Sequence, residues 1–306
     1  SYLSLRRLEN DILRETITDS SGTGILGFDE EEFNPIKVSI QQFYGIEIND
    51  FAVAVAKTAI WIAEAQMFRE TEAIIHKEMD FLPLHNNANI LEGNALQMDW
   101  EKIISPSQLS YIIGNPTFAG SKYSSSDQKK DMDLVFKPYS KKYRKLDYVT
   151  SWYVKASEFI EKNNMLRCAF VSTNSISQGE QVGIFWDILN RFDIDIGFAY
   201  RSFKWDSEST DSAAVHCIIL SIKSKHINDK KYIFSNGGQL MVENINGYLF
   251  NAPSIEILAR RNSICKEAPK ITKGSQPTDG GHLILSLEEA QILKDKYPKL
   301  IPYIRR

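Results

Sequence analysis

The chain has 306 residues, 43% hydrophobic and 25% charged, with a formal net charge of −3; it is long enough for one large domain or two smaller ones. That balance excludes a global basic field of the kind that announces a nucleic-acid partner. Three cysteines set far apart, Cys168, Cys217 and Cys265, exclude a disulfide framework and leave no cysteine metal site to read.

Residues 2–16 place Leu5, Leu8, Ile12 and Leu13 at helical spacing, which predicts an amphipathic helix. Residues 22–27 match G-x-G-x-x-G letter for letter. A nucleotide loop needs a strand before it and a helix after it. Here a helix and a polar loop precede, and Asp29-Glu30-Glu31-Glu32 follow, so a surface loop is expected. Residues 38–43 then lead through a turn or short helix into a strand that ends at Glu47. A carboxylate at the tip of a strand in a βα unit is either a surface acid or the group that accepts from both ribose hydroxyls of an adenosine-containing cofactor.

The most apolar stretch, residues 51–67, predicts a helix lying on a sheet. It is interrupted by Lys57 and Glu64 and falls short of the ~20 residues needed to span a bilayer. With no signal peptide visible, no membrane partner and a reducing cytoplasm are expected. Another short strand over 89–92 runs into Gly93-Asn94-Ala95. A third, over 111–114, breaks into Asn115-Pro116-Thr117-Phe118-Ala119-Gly120. Pro116 fixes its own φ and keeps Asn115 out of the helical region, which holds the Asn amide and the next carbonyls at the carboxyl end of a strand. Open α/β sheets bind ligands there.

Residues 121–146 carry eight Lys or Arg side chains against three acids and read as a basic loop, either solvated surface or a phosphate-contacting segment. A helix over 146–162 with Val149, Tyr153, Ala156 and Ile160 on one face follows, then a strand over 166–172, a polar loop over 173–183 and a helix over 184–191. Strands over 194–200 and 213–222 are joined by a loop holding Phe203 and Trp205, which either inserts into a substrate or anchors the loop. His216 falls in the second of these strands and is expected to be a core histidine. The five histidines have no metal-like spacing, and no metal is assigned. From about residue 223 the texture changes to short strands, the polar stretch 273–281 and a last helix opened by Ser286. The organisation expected is therefore an α/β core over 1–230 and a connector over 231–306.

Taken together, Gly114-Asn115-Pro116-Thr117-Phe118, Phe43-Tyr44-Gly45-Ile46-Glu47-Ile48, Gly93-Asn94-Ala95-Leu96, Leu146-Asp147-Tyr148-Val149, Ser202-Phe203-Lys204-Trp205 and Pro277-Thr278-Asp279-Gly280-Gly281 resemble, in this order, the adenine-N6 DNA methyltransferases. The resemblance is to the single-chain restriction and modification enzymes, and it covers nearly the whole chain. It implies a Rossmann-like sheet flanked by helices and S-adenosylmethionine as methyl donor. Asn115 and the Pro116 carbonyl would accept from the exocyclic amino group of a flipped base, Phe118 would stack on that base, and Phe203 would cover its other face.

For the cofactor, the resemblance assigns the ribose to Glu47 with Ile48, and the adenine to Asn94 with Ala95. Double-stranded DNA is the implied partner, with Lys129, Lys130, Lys141 and Lys142 as phosphate contacts, and target-recognition and nuclease domains are expected in the parent chain. Two departures stand out. Thr117 replaces the second Pro of the family's Asn-Pro-Pro-aromatic motif, which restores a backbone donor and loosens the loop. Nothing in the chain matches the first strand and glycine-rich loop of the family, so a sheet lacking its first strand, a truncated core and weak cofactor binding are expected. The alternatives are a methyltransferase acting on RNA or on a protein glutamine, and a non-catalytic DNA-contacting module.

Overall fold

The computed structural model describes residues 1–20, 36–75, 88–204, 216–258, 265, 267, 280–282 and 284–304. The chain divides into two compact units, Ser1–Ala259 and Arg260–Arg306. The G-x-G-x-x-G match at 22–27, Trp205 and most of the polar stretch 273–281 lie outside the described residues.

The first unit opens with α1 (Tyr2–Ser20), followed by β1 (Tyr44–Glu47), α2 (Asp50–Ile75) and β2 (Asn89–Glu92). The strands β1 and β2 pair in parallel, and a parallel pair demands a crossover, which α2 supplies. Val53 packs with Ala88 and Ile90, and Ile60 lies against them. At 26 residues α2 is longer than the sequence suggests, and by length and composition alone it passes the threshold for crossing a membrane, with 17% of its most apolar window buried. Its buried positions include Glu64 and Thr71, and these face α1 rather than a sheet.

That contact inverts the expected amphipathicity of α1. Its buried residues are Tyr2, Arg6 and Asn10, while Leu5, Leu8 and Ile12 are exposed. Arg6 hydrogen-bonds Glu9 on its own helix and, through Nη2, donates to Thr71 Oγ1 at 2.8 Å. The Thr71 hydroxyl lies 2.8 Å from Asn10 Oδ1.

A six-stranded mixed sheet forms the body of the unit. Its strands are β3 (Tyr111–Gly114), β4 (Arg167–Thr173), β5 (Ile194–Lys204), β6 (His216–Ser224), β7 (Lys231–Ser235) and β8 (Gly238–Val242), in the order β3-β4-β6-β5-β7-β8. β6 is antiparallel to both β4 and β5. Hence β3, β4 and β5 run the same way and present their carboxyl ends on one edge. Four further α-helices are described: α3 (Ser126–Phe136), α4 (Thr150–Lys162), α5 (Gly179–Leu189) and, in the second unit, α6 (Leu287–Lys296).

The face of α4 predicted from periodicity is the one buried: Val149, Tyr153, Ala156 and Ile160 are at most 1% exposed. Tyr153 stands edge-on to Phe170 of β4 at 5.1 Å and to Phe185 of α5 at 5.4 Å, and its hydroxyl is 2.7 Å from Ser172 Oγ and donates to the Phe170 and Leu220 carbonyls.

Four expectations change. The basic loop contains a helix, α3, whose start is fixed by a capping box between Ser125 and Gln128. β5 runs on to Lys204, so Phe203 sits in a strand and not in a loop, past register shifts that bend the pairing with β6. His216 is exposed at the start of β6 and not a core residue. β7 and β8, assigned by sequence to the connector, are paired into the main sheet, and the compact unit runs on past residue 230 to Ala259.

Among the described residues β1 pairs with β2 alone and β3 with β4 alone, and Tyr111 and Ile113 of β3 are 65% and 64% exposed. The central position of Tyr153 generates a stability prediction. Tyr153→Phe removes one hydroxyl and strands the partners it satisfies, at a cost of about 1–2 kcal/mol. The urea midpoint should fall with the slope unchanged; an unshifted midpoint would place the hydroxyl's partners elsewhere.

Candidate active site

The carboxyl ends of the parallel strands gather the residues singled out by sequence. At the end of β1, the Glu47 carbonyl accepts the Gly93 N–H at 2.9 Å, which sets Glu47 beside the Gly93-Asn94 turn that follows β2. Gly93 has φ +158°, a backbone conformation that side chains of L residues rarely adopt, and a Cβ there would also press on Met98 Sδ at 2.5 Å, so the turn favours glycine. Glu47 is half-buried, and its Oε1 accepts the Asn49 N–H at 3.1 Å. Its remaining lone pairs are open to further donors. Ile48, beside it, is 67% exposed. The Asn94 amide is held at both ends: Oδ1 accepts the Leu96 N–H at 2.9 Å and Nδ2 donates to Asp131 Oδ2 at 2.9 Å. The Ala95 carbonyl accepts Trp100 Nε1 at 2.8 Å.

Beyond β3, Pro116 is buried, Asn115 and Thr117 are exposed, and Phe118 is half-buried with its ring packed on the main core. Neither the Asn115 amide nor the Pro116 carbonyl is engaged in a hydrogen bond among the described residues. The chain after Phe118 is the opposite. The Ala119 carbonyl accepts the Tyr148 N–H at 2.9 Å, and the Gly120 carbonyl accepts the N–H groups of Tyr123 and Ser124 at 2.8 and 3.1 Å. A free pair of acceptors thus sits on a backbone that is pinned directly behind them.

Phe203 belongs to the same edge. It lies opposite Cys217 on β6, and on the other side of β6 Thr173, the last residue of β4, lies opposite the same Cys217. Its ring meets Tyr200 edge-on at 5.4 Å.

Asp131 is a site residue not legible in the sequence, where it is one acid in a basic segment. It is 4% exposed. It accepts from Asn94 Nδ2, from Gln97 Nε2 at 2.8 Å and from the Tyr148 hydroxyl at 2.6 Å. Burial by itself would raise its carboxyl; the hydrogen bonds from Tyr148, Gln97 and Asn94 outweigh that and hold it below the usual carboxylate range. Burial, followed by the bond to Asp131, pushes the Tyr148 hydroxyl above its ordinary value. A continuous path therefore runs from Asn94 through Asp131 and Tyr148 to the Ala119 carbonyl, joining the two strand-end clusters. Its signal in sequence is one of three acids on a capped helix, at the sixth position, which nothing distinguishes from a solvated one.

The basic positions are dispersed. Lys129 and Lys130 lie on α3, and Lys141 and Lys142 lie after it, all four exposed. Lys130 pairs with Asp127 at 2.9 Å; among the described residues the other three have no ion pair. Lys129 and Arg144 line a small cavity with Ser121 and Ser124. Among the described residues there is no cluster of three or more metal-ligating side chains.

Known proteins place this geometry. The model of the family described as "MmeI, DNA-methyltransferase domain" matches residues 1–235. "DNA methyltransferase A" of Bacillus subtilis (strain 168) is 37% identical over 310 residues, an alignment that covers 100% of this chain and 34% of that protein. The structure of the Type IIL restriction-modification enzyme MmeI in complex with DNA is similar at a TM-score of 0.85 and 34% identity, covering 100% of this chain and 40% of that one. The chain thus spans a third to two-fifths of the length of these relatives. With the family model matching well over half of its residues, the chain belongs to the family of MmeI-type DNA-methyltransferase domains.

Proposed function

We propose that this chain is the catalytic part of an adenine-N6 DNA methyltransferase within a restriction-modification enzyme, with S-adenosylmethionine as donor and double-stranded DNA as substrate. The observation that carries this reading is the pair of unengaged acceptors, the Asn115 amide oxygen and the Pro116 carbonyl, on a backbone pinned at Ala119 and Gly120. Two acceptors placed together suit an exocyclic amino group, which has two N–H donors. Accepting from both draws the nitrogen lone pair out of conjugation with the ring and turns it toward an incoming methyl. Phe118 supplies one stacking face for an extruded base, and Phe203, on the same sheet edge, supplies the other.

The residues present fit the ribose end of the cofactor. Glu47 is a half-buried carboxylate with lone pairs to spare for a vicinal diol, and exposed Ile48 beside it offers an apolar surface for an adenine ring. Asn94 keeps one amide-oxygen lone pair for the adenine amino group. Bound there, S-adenosylmethionine supplies an electrophilic methyl on a sulfonium. Glu47 and Asn94 orient it, Asn115 and Pro116 orient the acceptor nitrogen, and the path through Asp131 and Tyr148 keeps the two sets in register. Lys129, Lys141 and Lys142 would contact phosphate; a target-recognition domain and a nuclease domain complete the proposed parent enzyme.

In the intact protein, Asn115→Ala should lower methyl transfer to duplex DNA by about 10²–10³-fold with little change in cofactor affinity. The wild-type product, after nuclease digestion, should be N6-methyladenine. Undiminished transfer by the variant would remove Asn115 from the chemistry, and a methylated RNA or glutamine product would replace the substrate class. Glu47→Ala should weaken S-adenosylmethionine binding by about tenfold or more in a calorimetric titration, since hydrogen bonds to a charged acceptor contribute about 1.5–3 kcal/mol. An unchanged Kd would return Glu47 to the role of a surface acid. Lys129→Ala, Lys141→Ala and Lys142→Ala should each reduce the slope of log affinity against log salt by about 0.9, irrespective of DNA sequence; identical slopes would make these lysines solvated surface.

A further inference from the structure

Asp147 is a second buried acid, 4% exposed, and it makes no ion pair among the described residues. Neutral donors from three elements satisfy its carboxylate. Oδ1 accepts the Ser121 N–H at 3.3 Å and Gln181 Nε2 of α5 at 3.1 Å, and Oδ2 accepts the Thr173 hydroxyl at the end of β4 at 2.8 Å. Its own N–H donates to Gln181 Oε1 at 2.9 Å, so the Gln181 amide is gripped at both ends. The next N–H, that of Tyr148, holds the Ala119 carbonyl. One dipeptide thus grips the backbone at 119 and again at 121, immediately after Phe118.

A carboxylate taken out of water with no counter-ion is costly, and it persists where each lone pair finds a donor. An apolar residue of similar size would spare that cost but strand the Ser121 N–H, the Thr173 hydroxyl and the Gln181 amide. The arrangement has one mechanical result: the segment leaving the Asn115-to-Phe118 turn is fixed against a strand end on one side and a helix on the other.

We propose that Asp147 is a positioning residue for methyl transfer. It does not touch the base; it sets the 119–121 backbone and thereby the placement of the Asn115 and Pro116 acceptors and the Phe118 ring. The inference rests on the reading of that turn as the base-binding loop. Displacement of such a loop by about 1 Å costs on the order of a hundredfold in rate.

The test uses the intact protein and the isosteric Asp147→Asn, which places an amide N–H₂ against at least one of the three donors. The expected result is a fall in kcat of about 30–100-fold, with KM for S-adenosylmethionine within about twofold. With 2-aminopurine at the target position of the duplex, the emission of the bound complex should move from the wild-type value toward that of free DNA. Thr173→Val and Gln181→Ala remove one donor each and should move both readouts in the same direction by less; they carry the test if Asp147→Asn does not fold. Wild-type kcat and wild-type 2-aminopurine emission in the folded variants overturn the proposal. So does a loss of rate that follows the loss of melting temperature while the emission stays put. Asn115→Ala separates the two levels: an inactive Asn115→Ala beside a fully active Asp147→Asn sinks the positioning role alone, whereas an active Asn115→Ala sinks the base-binding reading beneath it.

Discussion

Two buried carboxylates that make no ion pair among the described residues, Asp131 and Asp147, are the constraint on which this site depends. Burying an ionised carboxyl costs several kcal/mol even after relaxation, so each is met by convergent neutral donors. Asp131 gathers Asn94, Gln97 and Tyr148; Asp147 gathers Ser121, Thr173 and Gln181. Six donors from separate stretches of chain can converge only in one relative arrangement. The acids thereby determine where the turn after β2, the turn after β3, the end of β4 and the helix α5 stand with respect to one another. Because 147 and 148 are consecutive, the two networks share a backbone. The strand-end cluster around Glu47 and Asn94 and the cluster around Asn115 are parts of one rigid frame.

That rigidity explains which polar groups are left open. A loop whose backbone groups were all self-satisfied would have nothing to offer a ligand, and one whose groups were all unsatisfied would be too mobile to place them. Here the hydrogen bonds are concentrated at Ala119, Gly120 and Ser121, while Asn115 and Pro116 one turn earlier keep their acceptors. Thr117 is exposed, so the freedom gained where the related motif has a second proline falls on solvent-facing backbone. The pinning behind Phe118 compensates for it from the other side.

Much of this was legible in the sequence, and the parts that were not share a cause. Strand ends at Glu47, Asn94 and Asn115 could be read because period, turn chemistry and a single polar residue coincide within a few positions. The face of α4 could be read because all four of its members, Val149, Tyr153, Ala156 and Ile160, obey one helical period. Asp131 and Asp147 could not, because their donors come from up to 37 residues away in the chain and nothing local marks a carboxylate as buried. The strand pattern breaks after Tyr200 and predicts a loop at Phe203; the register shift toward Phe203 carries β5 past that break. His216 looked like a core residue because it joins an apolar run, yet as the first residue of its strand it faces water.

The reversed face of α1 follows from the same kind of long-range demand. Leu5, Leu8 and Ile12, which should be the buried stripe, are about half exposed, while Arg6 is fully buried. Burying three such aliphatic side chains would contribute roughly 1.5–3 kcal/mol each, more than the exchange of hydrogen bonds among Arg6, Asn10 and Thr71 is able to supply. A helix in water would not leave that stripe open by preference. β3 makes the same case, since its apolar Tyr111 and Ile113 are open to solvent and its outer edge, like that of β1, has no partner among the described residues. Apolar surface on a helix and open parallel edges are features that a doubly wound sheet ordinarily covers. The polar contact between α1 and α2 therefore fixes the direction of α1 and decides which of its faces is buried.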